Sequence, residues 1–162
     1  MRNERGFTLI EILVVILIIG IIASATLFAF GDFGTSRRVK VTAEQFIAYT
    51  KLVQQRAILE MTTLGINVSS GGYETYRYVN DNSWQPMPKN SLIFHRTFPK
   101  DVIVTLQNNI KNKTNGPNII VTSSGNMTEF KLIFGTSAQP NIITITGEHN
   151  GNLTLDTNPP NK

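Results

Sequence analysis

Residues Phe7 to Phe30, FTLIEILVVILIIGIIASATLFAF, constrain this chain more than any other stretch. They are almost wholly apolar and hold one charge, Glu11. As a helix the run would span about 36 Å at about 1.5 Å per residue, enough to cross a hydrocarbon core of about 30 Å. Only MRNERG stands before it. The remainder is expected to be a water-soluble body held at a membrane or released from one.

Three readings fit the run. A secretory signal peptide would use Arg2 and Arg5 as its basic start and Ala23-Ser24-Ala25 as its cleavage site. The apolar run is longer than such a peptide needs, and Glu11 lies inside it. A plain signal anchor meets the same obstacle, because an acid at the centre of a membrane helix costs roughly 2.5–3.5 kcal/mol, and less near an end. The third reading uses every residue. Arg5-Gly6-Phe7-Thr8-Leu9-Ile10-Glu11 resembles the processing motif of type IV pilins and of the pseudopilins of type II secretion.

That resemblance implies cleavage of a leader after Gly6, N-methylation of Phe7 by the same prepilin peptidase, and a role for Glu11 in assembly. The chemistry agrees. Gly6 removes side-chain bulk where an enzyme must reach the backbone. The freed amine of Phe7 is cationic, and Glu11 lies one helical turn along. In the family the acid pairs with the terminal amine of a neighbouring subunit and so sets the axial stagger. The alternative for Glu11 is to reach back to the headgroups. Gly20 costs about 1 kcal/mol against Ala in mid-helix, and would allow close packing, a bend, or neither. Many members carry a Pro two-thirds along this helix; here there is none, and Phe28 stands near the place.

At 162 residues the chain is sized for one globular domain plus an anchor. Its formal charge is +4 from 15 basic and 11 acidic residues, and becomes +3 once Arg2, Glu4 and Arg5 are removed. There is no cysteine, which excludes disulfides and thiolate metal sites. Arg2 and Arg5 precede the apolar run while Arg37, Arg38 and Lys40 follow it, so charge alone does not orient it. The family's cytoplasmic leader implies a single pass through the inner membrane with the C-terminal body in the periplasm.

Gly31-Asp32-Phe33-Gly34 suggests a joint, with Asp32 or Thr35 available to cap a second helical segment. From Thr35 to about Met61 the helical period returns. Ala43, Phe46, Ile47, Thr50, Val53, Ala57 and Ile58 form one apolar stripe, which predicts a helix laid on a core. From Leu64 the period becomes two. Leu64–Ser69 and Tyr73–Val79 flank Ser70-Gly71-Gly72 as a hairpin, and Asn80-Asp81-Asn82-Ser83 turns toward Trp84-Gln85-Pro86. Six further strands are expected at Ser91–Arg96, Val102–Leu106, Ile119–Thr122, Glu129–Phe134, Ile142–Thr146 and Asn152–Leu155. The expected fold class is α+β: a long N-terminal helix, part transmembrane and part amphipathic, packed on two antiparallel sheets. The organisation read from this is leader 1–6, assembly helix 7–30, amphipathic helix 31–62, β-rich body 63–155 and frayed tail 156–162. Gln107–Asn118 reads as a polar loop, and the Asn112 and Asn126 sequons as chance in an Asn-rich chain.

The body carries a second, weaker resemblance. Arg56-Ala57-Ile58-Leu59, Leu64-Gly65-Ile66, the aromatic hairpin, Trp84-Gln85-Pro86, Leu92-Ile93-Phe94-His95-Arg96, Phe98-Pro99 and Gly125 before Phe130–Phe134 are similar to H-type minor pseudopilins, the GspH and FimT group. The resemblance implies a structural subunit of the type II secretion pseudopilus, in its tip or priming complex, that helps export folded proteins. Implied partners are other minor and major pseudopilins, the prepilin peptidase, the inner-membrane platform and the exported proteins. Energy would come from a separate cytoplasmic ATPase.

Enzyme chemistry is not expected. His95 and His149 stand alone, there is no nucleophile elbow, Walker loop or HExxH, and Glu148 and Asp156 are too sparse for a calcium cage. No cofactor or metal is expected. The rival reading is a FimT-like minor type IV pilin acting in pilus assembly or DNA uptake. DNA capture needs clustered cations. Residues 63–162 hold eight basic and six acidic residues without a strong cluster, Lys111 and Lys113 being the best candidates. Nucleic acid is not expected as a partner.

Overall fold

The computed structural model describes residues 8–79, 83–107 and 116–157, with residues 26–33 described as backbone. It divides into two units, Met1–Thr35 and Ser36–Lys162. One helix, α1 (Leu9–Leu59), enters both. Its backbone stays helical through Gly31–Gly34, where the sequence suggests a joint, so neither Asp32 nor Thr35 caps a second helix. Each glycine costs about 1 kcal/mol, but helix propagation is cooperative once a long helix exists on either side.

The helix ends in a Schellman arrangement. Thr62 N donates to Ala57 O at 3.0 Å and Met61 N to Ile58 O at 3.2 Å. This needs a left-handed residue at Met61, whose φ is +49°. Glycine is usual there, because a Cβ is strained in that conformation.

Nine strands follow among the described residues: β1 (Leu64–Ser69), β2 (Gly72–Val79), β3 (Ser83–Pro86), β4 (His95–Thr97), β5 (Ile103–Gln107), β6 (Ile119–Val121), β7 (Phe130–Gly135), β8 (Ile143–Gly147) and β9 (Leu153–Asp156). They form two antiparallel sheets. One runs β3-β2-β1-β6, with β4 also on β2; the other runs β5-β7-β8-β9. The α+β class and the two sheets agree with the sequence reading. The hairpin forms with Ser69 opposite Gly72 and Leu64 opposite Arg77.

Four local differences have physical reasons. Trp84-Gln85-Pro86 is a strand, β3, where the sequence suggests only the end of a turn. It lies at an edge of β2, where a proline without a donor is tolerated. Strand β4 is short, because Ile93 is pulled into the core and leaves only His95–Thr97 to pair with β2. Asn118 is no free loop residue, since its amide bonds Val68 N and Val68 O, each at 2.8 Å. Asp156 belongs to β9 rather than to a frayed tail, paired across from Thr144. Residues 158–162 of that tail lie outside the described residues.

One core serves the body. Val39, Ala43, Phe46, Tyr49, Val53 and Ala57 recur at helical spacing and are buried. Phe46 stands at its centre. Its ring meets Tyr73 of β2 edge-on at 5.1 Å, and Phe130 and Phe134 of β7 at 6.2 Å each, so one helical residue joins both sheets. Such ring pairs each add about 0.5–1.5 kcal/mol beyond area burial.

Candidate assembly interface

Glu11 lies in the first turn of α1, its backbone N 3.1 Å from Thr8 O. A carboxylate there is favoured by the partial positive charge of the helix start. Gly6 and Phe7 lie outside the described residues. Around and beyond Glu11 the helix is apolar on every side: Leu9 is 84 % exposed, Ile16 64 % and Ile22 59 %. A helix apolar all round is stable only against lipid or other chains. Among the described residues, no helix is long and apolar enough to cross a membrane. The apolar stretch with described side chains runs from Leu9 to Ala25, about 24 Å of rise, and the sequence run continues to Phe30.

In the body, Tyr49 is a buried polar group held on two sides. Its hydroxyl donates to Ile93 O at 2.8 Å and lies 2.6 Å from the hydroxyl of Thr75, which has no exposure. Burial pushes the Tyr49 phenol up to about 12, against the Thr75 bond that favours the phenolate. Burial likewise raises Tyr73. Tyr76 is raised first by its hydrogen bond to Glu74, which holds the phenol proton in place. In all three the fold favours the neutral phenol.

Gln54 is a second tie. Its amide Nε2 donates to Gly125 O at 2.7 Å and to Gly151 O at 3.3 Å. Both glycines have left-handed φ, +88° and +85°, and a Cβ on Gly151 would collide with Gln54 and with Gly125 O. Gly125 was visible in the sequence as a cue; Gln54, on α1, carried no signal.

The histidines are separate and exposed, His95 on β4 and His149 in the turn between β8 and β9. Among the described residues no three His, Cys, Asp or Glu side chains come together as a metal site. Glu148 bonds Asn150, at 3.2 Å, and Asp156 lies on β9. Lys111 and Lys113 lie outside the described residues.

Two family models match. The prokaryotic N-terminal methylation motif covers residues 1–27, and the type II transport protein GspH covers residues 42–157. The chain belongs to the GspH family. It is 29 % identical to type II secretion system protein H of Pseudomonas aeruginosa, over 82 % of this chain and 83 % of that protein. Identity to protein H of Escherichia coli K12 is 27 %, over 85 % and 84 %. The minor pseudopilin EpsH from the type 2 secretion system of Vibrio cholerae shares the fold, with a TM-score of 0.64 at 19 % identity over 75 % of this chain and 97 % of that one. The solution structure of E. coli GspH gives a TM-score of 0.63 at 20 % identity, over 75 % and 89 %. The H-type resemblance carried by the sequence cues is therefore family membership.

Proposed function

We propose that this chain is a minor pseudopilin of a type II secretion system. It is made as a precursor, cut after Gly6 and N-methylated on Phe7. A single pass holds it in the inner membrane, and its body stands in the periplasm. There it joins other major and minor pseudopilins in the tip or priming complex of a short fibre that helps export folded proteins. Glu11 is the carboxylate that takes a neighbour's terminal amine. The observation that carries this is a pair on one chain: a methylation motif over residues 1–27 and a GspH body over residues 42–157. The all-round apolar surface of α1 before Ala25 supports burial among helices or lipid. The role is structural, and no catalytic step is assigned to it.

The test is the protein profile outside the cell of a strain lacking this chain, against the same strain complemented. Several exported proteins should be lost and then restored. An unchanged profile would contradict the proposal and turn attention to pilus assembly and DNA uptake.

A further inference from the structure

The connection from β3 to β4 leaves the edge of β2 and returns to it. Both of its ends are anchored. Met87 and Ile93 are buried, Met87 N donates to Thr75 O at 3.0 Å, and Ile93 O accepts from the Tyr49 hydroxyl. Between these anchors Leu92 is 71 % exposed. A leucine held outward on a pinned segment contributes little to the fold.

Leu92 is the shared wall of two open grooves, of about 400 and 390 Å³. The first runs along α1 past Gln45, Ala48 and Leu52 to Arg96. The second is lined by Arg56, Arg77, Pro86 and Pro88. Among the described residues no carboxylate lines either groove. Behind the second, Glu60 takes Arg56 Nε at 2.7 Å and also bonds Arg77, so one acid is shared by two guanidinium groups. Arg56 further reaches Ser91 at 3.3 Å, while Arg77 Nε is buried with no hydrogen-bond acceptor. The face therefore combines an apolar ridge, an exposed apolar helix residue in Leu52, and a surplus of guanidinium charge on both sides.

We propose that the Leu92 ridge with its two arginine-lined grooves is the docking surface for a segment of a different subunit, one that presents apolar side chains between carboxylates. This rests on the reading of the chain as one subunit among several. Charge complementarity selects the partner: arginines on both flanks favour acids around an apolar anchor. A second copy of this chain is disfavoured, because the chain cut after Gly6 carries a formal charge of +3 and copies repel.

The test uses the full chain in its own secreting strain. A photo-crosslinking residue replaces Leu92, with Ile103 of the other sheet as the control position. The Leu92 position should capture a different subunit, at an apolar residue with an Asp or Glu within about one helical turn. Arg96→Glu should lower that yield by roughly fivefold or more. Capture of a second copy, capture at a stretch without acids, no capture, or a yield indifferent to Arg96→Glu would each overturn the surface. The double variant Leu92→Asp, Arg96→Glu changes two exposed side chains, and an unchanged unfolding midpoint verifies its fold. It should secrete as poorly as the strain lacking the chain. If that strain is defective while the double variant secretes normally, the docking surface fails and the subunit's role stands. If that strain secretes normally, the role itself fails, and the docking surface with it.

Discussion

The two ends of α1 share one backbone geometry and differ in what their side chains meet. From Leu9 to Ala25 every described side chain is exposed, although most are apolar. From Val39 to Ala57 one face is apolar and buried, where Val39, Ala43, Phe46, Val53 and Ala57 have no exposure, while Lys40, Glu44 and Lys51 point away and Val41 and Leu52 are exposed. The difference lies in periodicity. A helix apolar all round leaves its stabilisation to its surroundings, whereas a striped helix carries its own core contact. The first end is thus suited to assembly and the second to stability.

This contrast can be broken by experiment, most severely at Phe46. Phe46→Ala empties the point where the helix meets both sheets and should cost about 3–5 kcal/mol. Urea unfolding of the detergent-solubilised full chain, followed by Trp84 fluorescence, would read it. Ile16→Ala should leave the same midpoint unmoved. Equal shifts in the two variants would erase the distinction.

Alkali should give the next largest effect, at the helix end that carries Tyr49. The Tyr49 phenol is held near 12 in the fold, against about 10 in an unfolded chain. The folded state therefore keeps its proton longer. This stabilisation is fully present below pH 10 and is lost as pH rises from 10 to 12. About two units correspond to roughly 2–3 kcal/mol. Unfolding midpoints measured across that window should fall steeply, and Tyr49→Phe should flatten most of the fall, with Tyr73 contributing in the same direction. A wild-type profile flat to pH 12 would contradict the buried network.

The smallest effect belongs to the end of the helix. Met61→Gly relieves a left-handed side chain and should raise stability by about 0.5–1 kcal/mol, after the entropy that glycine loses on folding. A loss of stability would mean that Met61 makes a contact worth more than its strain.

Much of this was legible in the sequence because it depends on period. The stripe through Phe46 and the hairpin around Gly71-Gly72 follow from spacing and turn chemistry. Glu11 stood out because a charge in an apolar run is rare. What was not legible depends on neighbours distant in the chain. Ile58 fits the stripe yet is 46 % exposed, while Tyr49 stands outside the stripe yet is buried, its hydroxyl donating to Ile93 O and lying 2.6 Å from the Thr75 hydroxyl. Gln54 looks like any surface amide until two left-handed glycines arrive beside it. Strand β3 was hidden by Pro86, whose missing donor matters only if the strand is not at an edge.

The most direct measurement is Glu11→Leu in the full chain, scored for both secretion and stability. Normal membrane insertion, an unchanged unfolding midpoint for the body, and secretion as poor as in a strain lacking the chain are expected. Full secretion by Glu11→Leu would contradict the assignment of assembly to the first end of α1.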